Sequence, residues 1–270
     1  IDIYNMKEVS FFKLVGFLLI MYSCQESKDL RKESMLNYSD YRQDTARFLA
    51  HAGGGIDGNK YTNTLEALNL NYQKGFRFFE LDIITTEDSQ LVACHDWETW
   101  RSQTNYVDKV PVSKSIFLEN KILSKYTPLS LVEINLWFQN HPDAVLVSDK
   151  INEPNLIVNQ FIDKNRLMME LFSLEAIVEA QTLGLKKILA SEKVLNSFGK
   201  QRIEKLVENN IDYVTFSIKY MEDNRSFLED LKENNIKAIV YNLTFEKDEK
   251  YLVQNEMNTI YGFYADTWDF

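Results

Sequence analysis

Histidine occurs three times in 270 residues, cysteine twice, proline four times and glycine nine times. Two cysteines are too few for a disulfide scaffold. So little proline and glycine excludes a collagen-like chain and argues against a long disordered region. Positive charge is also scarce: the formal net charge is -10. The broad basic footprint of a nucleic-acid binder is missing, so no nucleic-acid partner is expected. There is no repeat of fixed period and no low-complexity tract. What is present, 45% hydrophobic and 26% charged residues, is ordinary globular composition for one large domain or two small ones.

The N-terminal segment reads differently from the rest. Met6 opens "MKEVSFFKLVGFLLIMYSCQES", with Lys7 and Lys13 ahead of an uncharged run from Leu14 to Tyr22. That run is shorter than the ~20 apolar residues a spanning helix needs. A short apolar run behind lysines reads as a secretory signal. It ends at Ser23-Cys24, which resembles a bacterial lipoprotein signal in which Cys24 is lipidated; Met21 and Tyr22 depart from the favoured upstream residues. The competing reading is a buried N-terminal helix with an incidental cysteine. The expected organisation is a signal over 1–24, a polar tether over 25–45 and a folded domain over 46–270. A lipid anchor would place the protein on a membrane of the bacterial cell envelope.

Behind the tether, short β-branched or aromatic runs alternate with segments of helical period. Nine strands are expected, at 47–51, 76–84, 90–96, 144–150, 166–173, 186–191, 213–218, 237–243 and 261–266. In "NTLEALNLNYQKG", Asn63 and Glu66 have the spacing of a capping box, and Gly75 closes the helix. Strand–helix alternation with near-continuous apolar strands means a parallel sheet covered by helices. Only "TTEDS" separates the second and third strands, a hairpin-length gap. Set that arm aside and eight strands remain. The expected fold is α/β, a (β/α)8 TIM barrel with an extra hairpin strand near the second barrel strand. The length behind Cys24 fits the ~250 residues of such barrels. The runner-up, an open doubly wound sheet, is disfavoured because "GGGIDG" is not followed directly by a helix start.

Barrel enzymes place chemistry at the carboxyl ends of their strands. His51 ends the first strand and leads into Gly53, Gly54 and Gly55, whose backbone N–H groups are expected to approach a bound phosphate. Glu80 and Asp82 share one face of the second strand, opposite Phe79, Leu81 and Ile83. Two adjacent inward carboxylates repel, and a divalent cation such as Ca2+ or Mg2+ would neutralise them. His95 and Asp96 end the hairpin arm that returns to the same rim. Glu170 is a further candidate acid at the mouth, and Trp97, Trp100 and Tyr241 are candidate aromatic linings or packing residues. His141 and Cys94 read as structural.

The segment "AHAGG…YTNTLEAL…KGFRFFELDIITTEDSQLVACHDW" resembles the glycerophosphodiester phosphodiesterase family, within the phosphatidylinositol phospholipase C-like barrel superfamily. The match is ordered over Ala50–Trp97. "TPLSL", "VYNLT" and "GFYAD" extend it weakly to the end. The resemblance implies that His51 and His95 are a general acid–base pair, that Glu80 and Asp82 hold a divalent metal ion, and that the substrate is a phosphodiester. The family's fourth strand supplies Glu-x-Lys, where this chain has "LVSDKI". Asp149 is the preferred third metal ligand, with Lys150 reaching phosphate if the strand end is irregular, and Trp97 lining the substrate entrance. Ala52 replaces the family's arginine, which suggests a divergent member with altered substrate preference. The expected function is metal-dependent hydrolysis of a glycerophosphodiester, a lipid head group or a phosphodiester-linked envelope glycan. The alternative is a non-catalytic barrel lipoprotein that binds phosphorylated glycans or lipids.

Overall fold

The computed structural model describes residues 38–241, 254–268 and 270. The signal, Cys24, most of the tether and the end of the 237–243 strand lie outside the described residues. Among the described residues nine strands form one sheet: β1 (Phe48–Ala50), β2 (Phe78–Thr85), β3 (Leu91–Ala93), β4 (Val145–Asp149), β5 (Leu167–Leu171), β6 (Lys187–Ala190), β7 (Tyr213–Ser217), β8 (Lys237–Tyr241) and β9 (Gly262–Ala265). Their order is β1-β9-β8-β7-β6-β5-β4-β2-β3, and a β1–β2 pairing closes the ring. Every barrel pairing is parallel, and β3 pairs antiparallel with β2 outside the ring. This is the expected (β/α)8 barrel with its extra hairpin strand.

Period-two alternation divides the strands between two cores. Leu49, Val147, Met168, Leu189, Ile239 and Tyr264 fill the barrel interior. Phe79, Leu81, Ile83 and Leu146 point outward into the layer shared with the helices. A third cluster, around Trp100, Phe117 and Tyr126, lies under the segment that follows β3.

The packed chain starts earlier than residue 46. A helix spans Tyr38–Gln43. Tyr41 within it is fully buried and its hydroxyl donates to Ile260 O and Tyr261 O, both at 3.0 Å. The end of the expected tether is therefore part of the folded unit, tied down by an aromatic that its charged neighbours disguise in the sequence.

The expected Asn63–Glu66 capping box does not form. The helix Leu65–Gln73 has Thr64 at its N-cap. Glu66 instead accepts from Thr127 N and Thr127 Oγ1, both at 2.7 Å. Asn63 sits in a left-handed conformation, φ 52°, and its side chain is used at the barrel mouth.

Candidate active site

The carboxyl ends of the strands bring His51, His95, Asp149, Lys150 and Glu170 around one cavity of about 450 Å³, walled by Tyr61, Phe172, Tyr241 and Tyr264. Glu80 and Asp82, each 1% exposed, are buried next to Asp149. Parallel register sets Asp82 level with Asp149, so the two carboxylates face the same side. Glu80, Asp82 and Asp149 each bring a carboxylate oxygen within 4.8 Å of the others. Ser148, one residue away, alternates to the opposite face and is buried there.

These acids are held by their neighbours. Glu80 Oε2 accepts from Ala52 N at 2.7 Å. Asp82 and Asn63 bond reciprocally: Asn63 Nδ2 donates to Asp82 Oδ2 at 2.8 Å, and Asp82 N donates to Asn63 Oδ1 at 3.0 Å. Lys150 lies just past the end of β4 with φ 67°. That left-handed residue breaks the strand alternation, and its Nζ reaches Asp149 Oδ2 at 3.3 Å and Asp82 Oδ1 at 3.6 Å.

The donor set fits a divalent cation. Burial, then the charges of Asp82 and Asp149, push the Glu80 carboxyl well above the usual carboxylate range. Burial and Asp149 likewise raise Asp82. Glu80 Oε1 is buried with no hydrogen-bond partner among the described residues, which is costly unless a cation or proton meets it. Three carboxylates also outnumber Lys150, the lysine that contacts them among the described residues. A set made only of carboxylate oxygens suits a hard cation.

A pH dependence follows from the raised Glu80. Between the ordinary carboxylate pKa and the raised one, the folded protein holds a proton that the unfolded chain has released. The stability contributed by this group is full below the unfolded-chain pKa and is lost as pH rises through the folded one. A divalent cation replaces the proton. The gain in Tm on adding Mg2+ or Ca2+ should therefore be larger near neutral pH than in mild acid. Thermal unfolding at several pH values checks this; a gain that shrinks as pH rises would contradict it.

Each histidine has its Nδ1 against a carboxylate. His51 Nδ1 lies 3.3 Å from Asp266 Oδ1, and Lys60 Nζ lies 3.1 Å from Asp266 Oδ2. His95 Nδ1 lies 2.5 Å from Asp96 Oδ2. Asp96 also caps the helix Trp97–Thr104, accepting from Thr99 N at 2.7 Å. Burial works upward on Asp96, but the bonds from Thr99 and His95 outweigh it and hold the carboxyl at about 2. With Nδ1 of each ring turned to a carboxylate, Nε2 is the nitrogen placed to exchange a proton with a ligand. Tyr61 stands between the two rings, edge-on to His51 at 4.7 Å and to His95 at 5.7 Å between centroids.

Two expectations about this region fail. Trp97 belongs to the aromatic cluster under the loop, packed edge-on against Trp100 and Phe117, and it does not line the cavity. The Asp96 cap starts a helix there and turns the indole away. Gly54 and Gly55 are not a phosphate cradle either. Gly54 N donates to His51 O at 2.8 Å and Gly55 N to Asp266 O at 2.6 Å, so both N–H groups are used inside the protein. What the loop requires is close approach. Asn71 Nδ2 donates to Gly53 O at 3.1 Å, to Gly55 O at 3.2 Å and to Ala67 O at 2.9 Å. A Cβ on Gly54 would sit 2.3 Å from that nitrogen, at φ +88°. Gly54→Ala should cost about 1–3 kcal/mol or more from overpacking and a strained backbone, read as a lower Tm. An unchanged Tm would contradict this account of the loop.

Asn63, Tyr61, Tyr264 and Asp266 are site residues that the sequence alone leaves without a role there. Asp266 carries the same signal as His51, a polar residue at the end of an apolar strand. His141 is structural as expected: it stacks on Trp137 at 4.0 Å, with Nδ1 2.7 Å from Trp137 O. Cys94 is buried in the loop cluster.

The fold is that of the glycerophosphodiester phosphodiesterases. A glycerophosphodiester phosphodiesterase from Thermotoga maritima superposes with a TM-score of 0.64 at 22% identity, covering 81% of this chain and 93% of that one. A glycerophosphoryl diester phosphodiesterase from Parabacteroides distasonis gives 0.65 at 17% identity, over 86% and 88% of the two chains. A phosphodiesterase from Oleispira antarctica, in complex with the product sn-glycerol-3-phosphate, gives 0.64 at 16% identity over 82% and 92%. No protein-family model matches the sequence, and no curated protein matches it either.

Proposed function

We propose that this chain is a metal-dependent phosphoric diester hydrolase acting on glycerophosphodiesters or phosphodiesters of related head groups. The observation that carries the reading is the meeting of two carboxylate-anchored histidines with a buried acidic triad around one cavity. The shared fold, and the glycerol phosphate bound by the Oleispira antarctica enzyme, support the substrate class.

In this reading Glu80, Asp82 and Asp149 hold the cation, which when bound polarises a phosphoryl oxygen. Lys150 places a positive charge beside the same oxygens. One histidine accepts the proton of the attacking hydroxyl at Nε2 as its oxygen bonds to phosphorus. The other donates its Nε2 proton to the alkoxide oxygen whose bond to phosphorus breaks. Asp96 orients the His95 ring and Asp266 lies against the His51 ring, so each carboxylate stabilises its imidazole in the protonated form, the one that the base gains and the acid gives up. If the attacking hydroxyl belongs to the substrate the first product is a cyclic phosphate, and if it is water the product is the monoester. Phosphorus NMR of the first turnover separates the two. A purely binding barrel would have no use for two histidines each set with Nδ1 against a carboxylate, which disfavours the non-catalytic alternative.

The N-terminal signal adds a location: the domain is tethered by lipid on Cys24 in the bacterial cell envelope. The motif "IMYSC" supports this. Cys24→Ala should release the protein from membranes and abolish lipid labelling; an unlipidated, freely soluble wild type would contradict it.

A further inference from the structure

At the amino ends of the strands, the pole opposite the cavity, positive charge is left unpaired. Arg47, Arg77 and Arg166 stand just ahead of β1, β2 and β5, and each meets an aspartate: Asp44 at 3.0 Å, Asp143 at 2.6 Å and Asp163 at 3.3 Å. Lys187 and Lys237 are the first residues of β6 and β8 and form no ion pair among the described residues. Each shares a strand face with an interior residue two further on, Leu189 and Ile239, so both side chains enter the amino-terminal mouth of the barrel. Lys237 Nζ lies over the rings of Tyr213 and Tyr261, at 5.0 and 4.7 Å, and donates to the Tyr213 hydroxyl at 3.3 Å. Lys187 Nζ lies 5.9 Å over the Phe78 ring. Burial, then the charge of Lys237, holds the Lys187 ammonium below the usual lysine range, although Asp163 works the other way. Aromatic faces give two neighbouring cations part of the compensation they need, and an anion would supply the rest.

The chain enters the barrel at this same pole. Helix Tyr38–Gln43 packs there through Tyr41, whose hydroxyl donates to Tyr261 O, and the Tyr261 ring is one of those beneath Lys237. The stretch from Cys24 to Tyr38 reaches at most about 50 Å when fully extended. A lipid on Cys24 would therefore keep this pole within reach of the membrane. The net charge of -10 repels an anionic surface, so any attraction has to be local. Tyrosines such as Tyr213 and Tyr261, both half-buried, suit the head-group region of a bilayer.

Resting on the Cys24 tether, we propose that the amino-terminal pole docks on anionic phospholipid, with Lys187 and Lys237 against the lipid phosphates. The cavity then opens away from the anchoring membrane, and its diester arrives from the aqueous side.

The test is lysine footprinting of the lipidated protein on phosphatidylcholine vesicles with and without phosphatidylglycerol. An amine-acetylating reagent is added and each lysine is read by mass spectrometry. Lys187 and Lys237 should react about 5-fold or more slowly on the anionic vesicles, the scale of one lysine at an anionic surface. Lys150, in the cavity, should react equally on both. Equal rates at Lys187 and Lys237 overturn the proposal, and so does slower reaction of Lys150, which would put the cavity against the lipid. In K187Q/K237Q protein with wild-type Tm, the neighbouring exposed Lys186 should lose its own protection; protection that persists overturns it. If Cys24 carries no lipid, the tethering reading fails, and flotation decides this inference separately. Unlipidated protein should bind phosphatidylglycerol vesicles, and K187Q/K237Q should bind them about 30-fold more weakly, the scale of two such lysines. No binding, or equal binding to both kinds of vesicle, overturns it.

Discussion

Alanine in place of His51 or of His95 is expected to lower turnover of a phosphodiester by about 10²-fold or more, the range for a positioned acid or base. The two rings follow different strands, β1 and β3, and reach the same cavity, each with Nδ1 against its own carboxylate. They act within one displacement, so the double variant should lose far less than the product of the two single losses. A substrate with a very good leaving group needs little protonation. It should therefore partly rescue whichever variant lacks the acid, and that comparison assigns the roles. His141→Ala is the control, since its ring packs on Trp137 and Tyr72 and bonds Trp137 O, away from the cavity. Folded His51→Ala and His95→Ala proteins that keep near wild-type turnover would remove both residues from the chemistry.

Glu80→Gln and Asp82→Asn should separate metal binding from folding. In the metal-free protein the buried carboxylates repel, and burial already raises both. Removing one charge should leave the metal-free Tm unchanged or higher. The same variants should lose about 10²-fold or more in Mg2+ or Ca2+ affinity, beyond the 10–100-fold typical of outer-shell changes. Activity should fall with it. The amide oxygen introduced by Glu80→Gln can still accept from Ala52 N, so the loss would not come from a collapsed loop. Unaltered cation affinity in both variants would place the metal elsewhere.

The barrel is legible because each strand is a short apolar run closed by a polar residue. His51, Glu80, Asp82 and His95 are legible for the same reason: a titratable group at the end of such a run must face the mouth or be buried alone. Asp266 meets that test, but its partner depends on barrel closure. The register Phe48↔Phe263 and Ala50↔Ala265 sets Asp266 level with His51, and nothing local to either residue announces it. Asn63 has the spacing of a helix cap, yet the loop enters a left-handed turn at Tyr61 and Asn63, φ 56° and 52°, and the amide reaches Asp82 instead. Trp97 departs from its expected place because Asp96, expected only beside His95, also begins a helix. The glycines resemble a ligand cradle in sequence because the side chain that needs their space, Asn71, lies a helix away.

Release of glycerol phosphate from a glycerophosphodiester tests the central claim most directly. The purified protein is measured as isolated, after exhaustive dialysis against chelator, and after Mg2+ or Ca2+ is returned. The account predicts hydrolysis, its loss on chelation and its recovery with the cation. Undiminished hydrolysis in the chelated protein, or a protein that binds the cation at Glu80, Asp82 and Asp149 and hydrolyses no phosphodiester, would contradict it.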